Sequence, residues 1–276
     1  MAPLSDDQQT PFDAHERRQW RGRAADYERS FAKLCGGAAA ALVDAAGATH
    51  GVRLLDVGTG TGTVAALAAD TGAQVSAVDA EQSMVEHTRA RVPAADVQPA
   101  VLPRLPFPDA AFDAVTANFV LNHVGRPTAA VAELRRVTRP GGRIAVTVWP
   151  YPQPPLQRLW SDALDLSGVA RPQGLPSVAS ADNFDRTEDG LAGLLEAAGL
   201  AHVSCRTLAW DHVTDLDEWW SGPAAGIGAF GQLLAALPAA DVARVRSAFE
   251  RVAQPFTGPG GRLAVPTAAL LAVGIA

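Results

Sequence analysis

The sequence predicts an α/β fold built on a doubly wound, mostly parallel sheet, and three observations carry that prediction. First, Leu54-Leu55-Asp56-Val57 runs straight into the glycine-rich turn Gly58-Thr59-Gly60-Thr61-Gly62, after which Val64, Leu67 and Ala68 return at helical spacing. This reads as a buried strand, a tight turn and a helix start. Second, five strand-like runs alternate with helical stretches between residues 52 and 149, the rhythm of parallel strands joined by crossover helices. Third, apolar residues make up 48% of 276 residues, enough to bury a core on both faces of such a sheet.

Taken in order, Met1 to about Thr10 is polar and predicted to be disordered. Pro11 to Ala46 carries Trp20, Tyr27, Phe31 and Leu34 at helical steps and predicts two helices. Val52–Val57 is the first strand, Thr61–Ala69 the first crossover helix, and Thr71-Gly72 its stop. Gln74–Val78 is the second strand, closed by Asp79, and Ser83–Val92 is a helix halted before Pro93. Val97–Val101 is a short third strand, followed by a proline-dense loop over Leu102–Pro108. Ala111–Ala117 is the fourth strand, ending at Asn118, and Thr128 is the expected N-cap of a helix through Val137. A Pro140-Gly141-Gly142 turn leads to the fifth strand, Arg143–Trp149.

Past Trp149 the prolines at 150, 152, 154 and 155 break the rhythm. Helices are expected over Leu156–Leu166, Thr187–Ala198, Leu216–Leu237 (interrupted at Gly222-Pro223) and Asp241–Gln254, with strands over His202–Trp210 and Leu263–Ile275. The expected organisation is a helical cap over 1–50, a cofactor-binding core over 51–150, and the rest of the sheet over 151–276. Two insertions, about 151–185 and 211–261, are expected to cover the site.

The formal charge of −6 argues against a nucleic-acid partner, which would need a basic face. Cys35 and Cys205 lie far apart without a CxxC pattern and read as reduced structural thiols, so no metal site is expected. The polar, acidic start is no signal peptide, and no run approaches the roughly 18 apolar residues of a membrane span. A cytoplasmic protein is expected, monomeric or homodimeric, acting on a small molecule.

Glycines let the turn bend sharply and let a ligand approach the backbone, while the helix that follows points free N–H groups at it. Alone, this turn suits either a dinucleotide or another nucleoside-bearing cofactor. The third glycine of a G-x-G-x-x-G pattern is replaced by Thr63. Asp79, at the end of the second strand, can accept both ribose hydroxyls under either reading.

Four motifs in order decide between them: Leu54 to Gly62; Val78-Asp79 with Met84 beyond it; Leu105-Pro106-Phe107-Pro108-Asp109-Ala110-Ala111-Phe112-Asp113-Ala114-Val115; and Leu134-Arg135-Arg136-Val137-Thr138-Arg139-Pro140-Gly141-Gly142. Over Gly51–Trp149 this set resembles the class I S-adenosylmethionine-dependent methyltransferases, in the small-molecule branch that includes quinone-ring methylating enzymes. A weaker likeness follows at Leu194-Leu195-Glu196-Ala197-Ala198-Gly199-Leu200. The resemblance implies a seven-stranded sheet with its last strand antiparallel and S-adenosyl-L-methionine as cofactor. It implies that Gly58, Thr59 and Gly60 face the methionine part, that Asp79 holds the ribose, and that Ala80 and Met84 pack on the adenine. It further implies that Asn118 offers its backbone carbonyl to the ammonium and that Asp56 orders the turn. The family carries an acid for the adenine amino group where this chain has Val101, leaving the Leu102 N–H as a ring contact.

A sulfonium methyl is already electrophilic, so the protein must chiefly position the acceptor and exclude water. A general base is required only for a weakly acidic nucleophile. Of the six histidines, His123, just past the fourth strand, is the candidate base, with His212 behind it; His15 and His50 are expected at the surface. Trp20 and Tyr27 either pack in the core or cover the cofactor mouth. Trp149, Trp160, Trp210, Trp219, Trp220, Phe184, Phe230 and Phe256 either fill the lid's own core or line a flat apolar acceptor site, and of Trp219 and Trp220 one ring is expected in the core and one in the pocket. Two other functions stay open on residues alone: a different reaction on the same cofactor, and a non-catalytic binding protein.

Overall fold

The computed structural model describes residues 9–170 and 176–276. Of the segment expected to be disordered, residues 1–8 lie outside this range, as do 171–175 of the loop expected after Leu166. Seven strands form one sheet: β1 (Arg53–Val57), β2 (Gln74–Asp79), β3 (Asp96–Pro99), β4 (Phe112–Asn118), β5 (Thr138–Val148), β6 (Ala201–Asp215) and β7 (Arg262–Ile275). Their order is β3-β2-β1-β4-β5-β7-β6. β1 pairs in parallel with β2 and β4, β2 with β3, and β4 with β5, whereas β7 runs antiparallel to both β5 and β6. The chain direction reverses its strand order at β1/β4, and the carboxyl ends of those strands form the crevice where ligands bind in such sheets.

Both faces of the sheet are buried, which explains why its central strands read as nearly continuous apolar runs. On one face Leu55, Val57, Val115 and Ile144 pack with Leu134 and Val137 of α7 (Pro127–Val137) and Leu191 and Leu195 of α9 (Glu188–Ala197). On the other, Leu54, Val75 and Ala145 meet Leu42 and Val43 of α4 (Ala39–Ala45), Val64 and Ala68 of α5 (Thr63–Asp70), and Val85 of α6 (Gln82–Arg91).

Several elements differ from expectation for local reasons. Pro11–Ala46 holds four helices, not two: α1 (Pro11–Trp20), α2 (Ala24–Arg29), α3 (Phe31–Gly36) and α4. Gly22 turns left-handed at φ +69°, Ser30 departs from helical geometry at φ −123°, ψ −80°, and Gly37 ends α3. α7 starts at Pro127 with Arg126 as its N-cap, not at Thr128; a proline in the first helical position loses no hydrogen bond. The long helix expected over Leu216–Leu237 breaks at Gly226 (φ +82°) into α10 (Leu216–Ala224) and α11 (Gly228–Ala235), and Pro223 sits inside the end of α10.

β6 and β7 extend well past β5, which pairs only with Leu270–Ile275 of β7. The free part of this ribbon supports a second core. Leu263 and Val265 pack there with Leu156 and Leu159 of α8 (Pro155–Ser167), Trp219 of α10, Phe249 of α12 (Ala239–Ala253), and Leu34 of α3. Trp160 stacks on Trp219, Phe230 and Phe249 within it, at centroid distances of 5.1, 5.1 and 4.8 Å. The Arg246 guanidinium lies 5.2 Å over Trp220. Neither Trp219 nor Trp220 lines the cavity described below, so the expectation of one core ring and one pocket ring does not hold: both fill the helical layer.

A candidate cofactor and acceptor cavity

A cavity of about 310 Å³ opens over the carboxyl ends of β1, β2 and β4. Its floor is the glycine turn. Gly58 and Gly60 take φ +65° and +57°. A Cβ on Gly58 would fall 2.4 Å from Val120 Cγ2, and one on Gly60 would lie 3.3 Å from the Tyr27 ring. Bare backbone is therefore a steric requirement here. The Thr59 N–H donates to the Val78 carbonyl at 3.0 Å, and the Thr88 hydroxyl donates to the Gly60 carbonyl at 2.9 Å, so the turn is anchored from β2 and α6.

Asp79 ends β2 beside this turn. Its Oδ2 accepts the Gly60 N–H at 2.9 Å and its Oδ1 accepts the Glu81 N–H at 3.0 Å. Burial pushes its carboxyl up, and the two N–H groups oppose that. A carboxylate offers about four lone-pair sites, so capacity remains for two ligand hydroxyls. Ala80, Met84, Val101 and Leu102 line the same end, and Met84 is 3% exposed. No acid stands at Val101, and Asp96 is exposed at the start of β3.

Asp56 and Thr59 do not line this cavity; they lie under the turn, around a smaller polar space shared with Thr61, Cys35 and Asn118. The Asp56 Oδ1 accepts the Thr116 hydroxyl at 2.8 Å. Among the described residues the Asp56 Oδ2 and the hydroxyls of Thr59 and Thr61 are buried without a hydrogen-bond partner. Burial pushes the Asp56 carboxyl up to about 7. Buried polar atoms without partners mark a place for a polar group or water from outside the chain.

The first helices cover the cavity. Trp20 of α1 meets Tyr27 of α2 edge-on at 5.7 Å and His123 edge-on at 5.4 Å. Enclosure holds the Tyr27 hydroxyl neutral and pushes the adjoining Cys35 thiol up to about 12. Asn118 ties this cap to the sheet: its side-chain N–H donates to the Cys35 carbonyl at 3.1 Å and its Oδ1 accepts the Thr147 hydroxyl at 2.6 Å. Phe119, held at φ +59°, stacks on Trp149 at 3.8 Å. His123 sits in the 3-10 turn Leu121–His123, with Nδ1 2.7 Å from the Glu16 carboxylate.

His212 is elsewhere. It packs 5.6 Å from Trp219 in the helical layer, where burial pushes its imidazole down to about 4. His50 is exposed, and His15, although on α1, is half-buried outside the cavity lining. Of the eight aromatics named above as lid or acceptor-site candidates, Trp149, which follows β5 and precedes both insertions, is the one that lines the cavity among the described residues. From 211–261 the lining takes Ile227 and Gly228; from the described part of 151–185 it takes nothing. Residues 55–146 match a family profile described as a methyltransferase domain. The demethylmenaquinone methyltransferase of Renibacterium salmoninarum is 35% identical over 175 residues, 60% of this chain and 74% of that protein.

The chain belongs to the class I S-adenosylmethionine-dependent methyltransferases. A demethylmenaquinone methyltransferase from Beutenbergia cavernae is likewise 35% identical, over 61% of this chain and 73% of that one. The solved YcgJ protein of Bacillus subtilis superposes with a TM-score of 0.56 at 20% identity, across 86% of this chain and 97% of that one. A putative methyltransferase from Bacillus halodurans gives 0.55 at 17%. These two likenesses bear on the fold alone. The cofactor of this methyltransferase is S-adenosyl-L-methionine, and the bare turn, the Asp79 carboxylate and the unpartnered polar atoms beneath the turn are compatible with it. Among the described residues of the enzyme, no cluster of His, Cys, Asp and Glu suits a metal ion, and no helix is long and apolar enough to cross a membrane.

Sequence reasoning missed Asp13, Glu16 and Arg17 of α1, Glu81, and the Phe119–Val120 corner, all of which line the cavity. Glu16 carried no local signal, because its partner is 107 residues away. The corner could have been suspected from Asn118, since ligands meet such sheets just beyond their strand ends.

Proposed function

We propose that the enzyme methylates a small, flat, largely apolar acceptor, a quinone-derived or similarly hydroxylated aromatic ring. The observation that carries this reading is that one cavity is lined both by the glycine turn with Asp79 and by a set of aromatic rings. One part of its lining is Gly58, Gly60, Asp79, Ala80, Met84, Val101 and Leu102; another is the apolar set Trp20, Phe31, Phe119, Trp149 and Ile227, with Asp13, Glu16, Arg17 and His123 among the titratable groups of the same lining. The printed names of the curated relatives, demethylmenaquinone methyltransferases, support the same acceptor class.

In this reading Asp79 takes the ribose hydroxyls, Met84, Ala80, Val101 and Leu102 sandwich the adenine, and Tyr27, Gly58 and Gly60 flank the methionine part. Asp56 and Thr59 support the turn from beneath, and Asn118 joins cap to sheet. The cofactor, held by these residues, would supply an electrophilic methyl group. The chain's contribution is to seat the acceptor ring against the Phe119–Trp149 stack, to exclude water with α1 and α2, and to receive a proton at His123. Placing two reactants in line can supply about 7–11 kcal/mol of the barrier.

The test is incubation with S-adenosylmethionine labelled in the methyl group and a panel of reduced naphthoquinones, phenols, aliphatic amines and a protein digest. Label is expected in the hydroxylated rings, with S-adenosylhomocysteine formed in equal amount. Label confined to protein, or cofactor consumed without any methylated product, would overturn the reading.

A further inference from the structure

We propose that Glu16 is the positioning residue that prepares His123 to accept the proton of a hydroxyl-bearing acceptor; this rests on the reading above. Glu16 is a carboxylate whose side chain is only 12% exposed, on a helix whose single fully buried residue is Gln19. A carboxylate withdrawn from water needs compensation. Glu16 finds it in His123 Nδ1 at 2.7 Å and in the Gln19 side-chain N–H at 3.2 Å.

That arrangement fixes the chemistry of the ring. A neutral imidazole bonded to a carboxylate through Nδ1 carries its proton there, which leaves Nε2 as a lone pair. The ring lines the cavity, and among the described residues its Nε2 has no hydrogen-bond partner. The edge of Trp20 holds the imidazole from another side. Asp13, one turn before Glu16, accepts the Gly125 N–H at 2.7 Å. Two acids on one face of α1 therefore grip the segment carrying His123. The other charges here are engaged or outside that pairing: Asp13 also caps α1 through Thr10, Arg17 bonds Gln9, and Arg126 lies further along the His123 segment.

This machinery has a use for one class of nucleophile. An amine already presents its lone pair. A phenol or hydroquinone is a weak nucleophile until its O–H proton is taken. The hydroxyl proton passes to His123 Nε2, Nδ1–H stays on the ring, and the imidazolium charge is met by the Glu16 carboxylate. The proton then leaves to water. One proton is released whether the methyl ends on oxygen or, after enolisation, on the conjugated ring carbon.

The experiment compares wild type with Glu16→Gln, Glu16→Ala and Glu16→Asp. Nitrogen NMR of histidine-labelled, ligand-free protein should show His123 as the Nδ1–H tautomer in wild type and the Nε2–H form in Glu16→Ala. With a reduced naphthoquinone or phenol as acceptor, Glu16→Gln should lower kcat about 100-fold with KM within about threefold, and Glu16→Asp should recover part of the loss. Phenols that are already ionised should be spared. Calorimetry with S-adenosylhomocysteine should be unchanged in all variants, which verifies folding. A wild-type ring in the Nε2–H form, or a defect confined to KM, would overturn the proposal. If no hydroxylated acceptor is turned over by wild type, the acceptor reading fails while the tautomer measurement still judges the pair.

Discussion

Replacing Asp79 by asparagine keeps the side chain's volume and removes its charge beside the glycine turn, on the cavity side. Both carboxylate oxygens already accept a backbone N–H, from Gly60 at 2.9 Å and from Glu81 at 3.0 Å. Two ribose hydroxyls would add charge-assisted bonds of about 1.5–3 kcal/mol each. Asparagine keeps one oxygen as a neutral acceptor, worth about 0.5–1.5 kcal/mol, and turns its amide hydrogens toward one of the two backbone donors. The net loss is about 3 kcal/mol, close to a 100-fold weaker Kd. Calorimetric titration of S-adenosylhomocysteine into Asp79→Asn measures it directly. Asp79→Ala should lose at least about tenfold and should also loosen the turn, visible as a lower midpoint without ligand. An Asn variant within threefold of wild type would show that Asp79 holds only backbone, and the assignment of the ribose to this part of the cavity would fail.

Two further predictions concern the turn. Asp56, pushed up to about 7 by burial, keeps its proton in the folded state across a range where the unfolded chain releases it. The stability it contributes is therefore full below about pH 4 and is lost as pH rises to about 7. Urea midpoints of wild type should fall relative to Asp56→Asn across that window and hold a constant offset above it; an offset independent of pH would refute the burial argument. Gly58→Ala should cost about 1–2 kcal/mol for the left-handed backbone, plus displacement of Val120, and reduce cofactor affinity at least tenfold. Pairing it with Val120→Ala should restore part of the stability, and no restoration would show that the contact is not limiting.

The alternation of apolar runs and helices between 52 and 149 was legible because each element there states its role locally. β1 is buried on both faces from Leu54 to Val57, and its turn must be glycine where a Cβ would strike Val120. The cap was less legible. α1 is a polar helix with only Gln19 fully buried, so periodicity marks a helix but not what it covers. Its contacts to His123 and Gly125 span more than a hundred residues and leave no trace in spacing. Tryptophans drew attention to the insertions, yet a ring such as Trp160, stacked on three others, serves a helical layer that needs bulk of its own. Composition cannot tell such a ring from one that meets a ligand.

The helices over the cavity make polar contacts with the segments beside it: Asp13 to Gly125, Glu16 to His123, the Gly22 N–H to Glu81, and Glu28 with Arg91. Such a segment can part from the rest at a small fraction of the free energy of global unfolding. Amide hydrogens of residues 11–29 should therefore trade for deuterium long before those of β1 or β4. Occupancy of the crevice should slow that trade, because a ligand seated against Trp20 and Tyr27 adds contacts that the parted segment would lose.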